Sequence, residues 1–166
     1  MNKLSKALKC LQKLELETHE LYHELYKKMA PSEDRGKILF ISLDTYKHYL
    51  LYNELTKLEE ESVNEEKCEL LLGQMFTDSL KFIRGLKSQI AKLKTIKNED
   101  LENIVDRLKD HERGVYEEAM SAVAAKFIGK ENAEVSAVMQ LIEFDEKRHE
   151  GLVIGLIKKE DNAQGI

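Results

Sequence analysis

Glu146 and His149 stand three residues apart in the stretch Phe144-Asp145-Glu146-Lys147-Arg148-His149, and a near-copy, Leu43-Asp44-Thr45-Tyr46-Lys47-His48, lies about a hundred residues earlier. Residues three apart on a helix share a face, so a carboxylate and an imidazole at that spacing can grip one ion together. The later copy keeps both ligands; the earlier one keeps His48 but has Thr45 where the acid would stand. Glu112 is a further acid set among apolar residues at helical spacing. A carboxylate buried there without a partner costs several kcal/mol, so an ion or a cation such as Lys109 must meet it. His19 and His23, four apart, could chelate a surface ion, although such pairs are more often solvated.

These groups need rigid rods to bring them together. A first helix is predicted from Lys3 to Met29, with its stripe at Leu4, Leu8, Leu11, Leu14, Thr18, Leu21, Leu25 and Met29. Pro31 disfavours helix in the residue before it, and Ser32 caps a second helix over Glu33 to Glu60, with Thr45 and His48 inward. Ser62-Val63-Asn64-Glu65 reads as a capping box for a third segment, in which Gly73 or Gly85 marks a break. Asn98 caps a helix from Glu99 to Ile128, closed by Gly129, and the last helix runs from Asn132 to Lys159. Leu14-Glu15, Leu21-Tyr22 and Glu24 line up with Leu108-Lys109, Val115-Tyr116 and Glu118, so the chain reads as a duplicated helical hairpin with a crossover between the copies.

Composition agrees. The 166 residues include one proline, eight glycines and no tryptophan, and 34% are charged, a mixture that favours an all-α chain. One domain over 1–160 is expected, with 161–166 as a frayed tail. The net charge of −5 comes from interleaved Lys and Glu without a basic arm, which argues against nucleic-acid binding. That Lys and Glu content suits a thermophile. No stretch approaches the roughly 20 apolar residues that span a bilayer, and the first residues form an amphipathic helix without an apolar signal core. Cys10 and Cys68 are isolated, so no Cys-x-x-Cys metal site exists; they read as reduced packing residues of a cytoplasmic protein. Phosphate loops and nucleophile elbows are absent, so enzyme chemistry would have to come through a metal.

The chain resembles the ferritin-like superfamily, and most closely its rubrerythrin-type di-iron carboxylate proteins. Glu15 with Tyr22 seven residues on is similar to that family's first helix, and Asp145-Glu146-Lys147-Arg148-His149 to its last. The resemblance implies an antiparallel four-helix bundle of two helical hairpins with an extra helix in the crossover. It also implies metal ligands at Glu15, His48, Glu146 and His149, while Glu112, on the apolar face of its helix, would bridge or supply the ligand missing there; Tyr22 and Tyr116, in equivalent positions, could donate to site carboxylates or serve as core aromatics with one polar tip. Thr45 and Lys109 replace two family carboxylates, and a dinuclear centre relies on four of them. The implied cofactor is therefore iron or another divalent transition metal, mononuclear or in an incomplete dinuclear site. Peroxide reduction or iron handling, an external electron-donor protein and a homodimer are further implications. The alternative is a metal-free structural or interaction bundle in which Lys109 replaces the metal charge.

Overall fold

Helix α1 (Lys3–Lys28) is the hub of the fold, because its apolar stripe is wide enough to serve three neighbours. The computed structural model describes residues 3–57, 62–112 and 133–156. Among them are five further helices: α2 (Glu33–Leu55), α3 (Glu65–Leu72), α4 (Gln74–Lys92), α5 (Asn98–Glu112) and α6 (Ala133–Gly155). The described residues contain no strand, only an isolated parallel bridge between Met29 and Ile96. The described residues are all-helical, and no helix among them is long and apolar enough to cross a membrane.

Helix α1 packs on α2, α3 and α4; α2 also meets α6, and α6 carries α5. The pairings Gln12–Asn53, His19–Ser42 and Tyr26–Arg35 run in opposite senses along α1 and α2, which are therefore antiparallel. Glu17–Arg84 and Glu20–Lys87 advance together, so α1 and α4 are parallel. Leu8, Leu11, Leu14, Leu21 and Leu25 of α1 meet Ile38 and Ile41 of α2 and Phe76, Leu80, Ile83 and Ile90 of α4 in one core.

Local chemistry sets the ends of these rods. Ser32 accepts from the Arg35 N–H and starts α2 as its sequence position predicts. At the third segment Asn64, not Ser62, is the cap: its side chain accepts from the Lys67 N–H, and α3 starts at Glu65. Of the two glycines predicted to break that segment, Gly73 does so, with φ of 90°, while α4 runs through Gly85. The Lys97 N–H donates to Asp100 at the start of α5, and Asn98 is already inside that helix. The predicted continuation of α5 to Ile128, with Tyr116 and Gly129, lies outside the described residues, whereas α2 ends at Leu55 and α6 at Gly155, short of their predicted ends at Glu60 and Lys159.

Cys10 and Cys68 correct the expectation of reduced thiols. Both are fully buried, and they form a disulfide between α1 and α3 with a Cα–Cα distance of 5.5 Å. Nothing near either cysteine in sequence signals a partner 58 residues away. An ion-pair network lies alongside: Glu65 of α3 meets Lys13 of α1 at 2.7 Å and Arg84 of α4 at 3.0 Å, and Arg84 reaches Glu17 at 2.8 Å. The partners Arg84 and Lys13 outweigh burial and hold the Glu65 carboxyl at about 2.

The crossover is therefore tied to α1 by a covalent bond as well as by packing. By chain entropy a loop of this length is worth about 4 kcal/mol. Cys68→Ser should lower unfolding free energy by about that amount in denaturant titrations at fixed pH. Unreacted thiols in the denatured, unreduced protein should be absent by mass spectrometry after alkylation.

Candidate metal centre

Along α2 the usual distribution of polarity is inverted. Ser42, Asp44, Thr45 and His48 are buried, whereas Phe40, Leu43 and Leu50 are exposed. Helix α6 repeats the pattern, with Glu146 and His149 buried and Leu141 and Phe144 exposed. A helix that turns charge inward loses solvation unless the buried groups find one another. Here they do.

Glu15 of α1, His48 of α2 and Glu146 of α6 place ligand atoms within 4.8 Å of one another in the interior. His48 Nδ1 lies 3.0 Å from Glu146 Oε1 and 3.4 Å from Glu15 Oε1, and His149 Nδ1 is 3.4 Å from Glu146 Oε1. The two imidazoles are neighbours, with ring centroids 5.8 Å apart. Although His48 Nδ1 and Glu146 Oε1 are at ion-pair distance, they lack the direction of a hydrogen bond, and both atoms are buried. Their separation reflects attraction between charges rather than a directed N–H···O contact.

The outer nitrogens are held crosswise. His48 Nε2–H donates to Asp145 at 3.2 Å, and His149 Nε2–H donates to Asp44 at 2.9 Å. Each aspartate thus holds the histidine of the opposite helix. Lys47 closes one half by reaching Asp145 at 2.6 Å and Asp44; Arg148 closes the other at 2.8 Å from Asp44 and 2.9 Å from Asp145. The repeat seen in sequence is here a reciprocal set of contacts, Asp44–His149 mirrored by Asp145–His48. Carboxylates on the outer nitrogens fix the tautomer and leave both Nδ1 atoms turned to the acids. Asp44, His48 and Asp145 also have oxygen and nitrogen donors close together, but Lys47 and Arg148 occupy those carboxylates.

The charges follow from these contacts. Burial opposes the imidazolium of His48, yet Glu146 and Glu15 outweigh it and raise the ring to about 10. Burial likewise opposes the Glu146 carboxylate, but His149 and His48 hold its pKa below the ordinary value. Asp44 lies well below the usual carboxylate range because Lys47, His149 and Arg148 overcome its burial. Tyr52, fully buried, is pushed well above its ordinary value by burial and by Glu15 and Glu146.

Of the residues singled out by sequence, Glu15, His48, Glu146 and His149 come together. The Glu112 side chain lies outside the described residues, as does Tyr116. Thr45 adds no ligand: its hydroxyl donates to the Ile41 and Ser42 carbonyls of its own helix. Lys109 is half-buried and forms no ion pair with Glu15 or Glu146 among the described residues. His19 and His23 are not a solvated pair. Both are half-buried, their rings stack at 5.5 Å, and His19 Nδ1–H donates to the Ser42 carbonyl at 2.8 Å. Asp44 and Asp145 had a signal in sequence, a repeated Asp-x-x-x-His, but spacing alone does not say that each aspartate serves the other helix. No family model, curated protein or solved structure matches the chain.

The donor set fits one divalent ion. Glu15, His48 and Glu146 bring ligand atoms within 4.8 Å of one another with His149 Nδ1 3.4 Å from Glu146, two carboxylates balance a charge of two, and His48 Nδ1 and Glu146 Oε1 lack directed hydrogen bonds. Without metal, His48 contributes stability fully below its unfolded value of 6.5, and this is lost as pH rises through about 10. Imidazole NMR of the metal-free protein should therefore find His48 protonated well above neutrality. Stability should fall as pH approaches 10 in the wild type but not through this group in His48→Gln.

Proposed function

We propose that the chain is a ferritin-like, rubrerythrin-related four-helix bundle that binds one divalent transition metal at Glu15, His48, Glu146 and His149. The observation that carries this is the crosswise pinning of both imidazoles, which aims two Nδ1 atoms at two buried carboxylates. Antiparallel α1 and α2, with α5 on α6, support the two-hairpin arrangement. With Thr45 turned to its own backbone, the available carboxylates suit a mononuclear site better than a full dinuclear one.

Iron or manganese would supply one-electron chemistry at such a site, and peroxide reduction or iron handling is the activity that the resemblance implies. The chain's own part is to hold the ligands, keep the imidazole tautomers fixed and exclude water from the acids. An external protein is the natural source of electrons, because Cys10 and Cys68 are committed to each other.

A metal-free interaction module is the second reading, favoured by one observation: protonated His48 already neutralises a carboxylate at 3.0 Å. In that reading His48, rather than Lys109, replaces the metal charge. The two make opposite predictions. Untagged protein reconstituted anaerobically with ferrous iron should hold about one equivalent per chain, lost in His149→Ala; less than about a tenth of an equivalent overturns the metal reading. Binding must displace the His48 proton, so calorimetry in two buffers should detect proton release and affinity should rise with pH.

A second copy of the chain is the partner that suits the outer face. Phe40 and Leu43 on α2 and their counterparts Leu141 and Phe144 on α6 form matching apolar stripes, with Leu43 57% and Phe144 69% exposed. Lys47 is paired with Asp145 and Arg148 with Asp44, so these four groups are already matched within the chain. A surface matched to itself favours an isologous dimer. Light scattering should give a dimer mass for the wild type and a monomer mass for Phe144→Glu; a wild-type monomer at micromolar concentration refutes this pairing.

A further inference from the structure

His19 and His23 take no part in the metal centre, yet two imidazoles four residues apart lie on one face of a helix and can share an ion. On α1 both rings are half-buried and already stacked, with centroids 5.5 Å apart and 29° between their planes. Ser42 of α2 clasps the first of them. Its carbonyl accepts from His19 Nδ1–H at 2.8 Å, and its hydroxyl donates to the His19 carbonyl at 3.4 Å. A carbonyl on Nδ1 settles the tautomer and leaves the lone pair on Nε2, which is how metal-ligating histidines are held. His23 Nδ1 is enclosed and has no hydrogen-bond partner, so Nε2 is the nitrogen that an ion can approach. Both rings thus turn Nδ1 to the protein and keep Nε2 for a ligand.

The surroundings select the ion. Glu20 and Glu24, the neighbouring acids of α1, are engaged by Lys87 at 2.6 Å and Lys27 at 2.5 Å. Tyr46, 4.9 Å from His19, and Tyr26, 6.0 Å from His23, flank the pair without adding a nitrogen. An ion here meets two imidazoles and water. That set suits zinc(II), nickel(II) or copper(II), whereas magnesium and calcium seek oxygen donors. Burial, with the charges of His19 and Lys27, outweighs Glu24 and pulls the His23 ring below its ordinary value, which favours the neutral form that binds metal. A turn of the His23 ring about its Cβ–Cγ bond brings the two tips onto one ion, and no hydrogen bond at Nδ1 resists it.

We propose that His19 and His23 form a second, peripheral site that chelates one zinc(II), nickel(II) or copper(II) ion through their Nε2 atoms. The pair shares no residue with the metal centre and stands whether or not Glu15 and His48 hold an ion. The test uses the full untagged chain, labelled with ¹⁵N at histidine and titrated with zinc(II) and, separately, with magnesium. The ring nitrogens of His19 and His23 should move together in one saturable step with zinc(II) and stay in place with magnesium. His23→Gln, checked for a native helical spectrum, should weaken the zinc response of His19 by roughly a hundredfold, the advantage of two linked donors over one. The responses of His48 and His149 should be the same in that variant as in the wild type. Absence of a saturable shift at His19 and His23, or a His19 response that His23→Gln leaves unchanged, overturns the proposal. A zinc response confined to His48 and His149 overturns it too, because the ion would then sit in the metal centre alone.

Discussion

The structure depends on the reciprocal contact between α2 and α6, in which an aspartate on each helix holds the histidine of the other. Charged groups enter a protein interior at a cost that only well-placed partners offset. Here each group has such a partner. Lys47 and Arg148 balance the aspartates, the aspartates orient the imidazoles, and the imidazoles face Glu15 and Glu146. Removal of one member would leave its neighbours buried and unmatched, so the unit is cooperative rather than a sum of pairs. The rest of the fold serves it by fixing two rods at the separation that closes both bonds.

That requirement explains features that a stability argument alone would not predict. Burial of Ser42, Asp44, Thr45 and His48 removes from the core of α2 the positions that would otherwise hold leucine or isoleucine. The apolar energy comes instead from α1 and α4, whose leucines and isoleucines make the larger part of the core. The hub helix α1 contributes a ligand as well as packing: Glu15 sits beside Leu14 on its buried face. The chain thus separates the elements that stabilise from the elements that gather chemistry, and joins them through α1.

Much of this was legible in the residues. The spacing of Ile38, Ile41, Thr45 and His48 put the right face of α2 inward, and the single proline and Gly73 marked two of the breaks. The convergence of Glu15, His48, Glu146 and His149 followed from helical phase and the duplicated motif. Other parts were hidden for physical reasons. A cap is chosen by which side chain reaches a free N–H, and Ser62 and Asn64 are equally eligible on paper. An Asp-x-x-x-His spacing suggests contact within one helix, whereas the partner lies on another. The union of Cys10 with Cys68 depends on how α3 folds back onto α1, which no local pattern encodes.

Both sulfurs of that bond are wholly enclosed, and Cys10 lies on the same helix that carries Glu15. A reductant can touch them only when α3 swings away from α1, so its rate of attack becomes a clock for the breathing of the crossover. Thiols added to keep iron ferrous would run that clock as well, gradually loosening the rod that presents one of the acids.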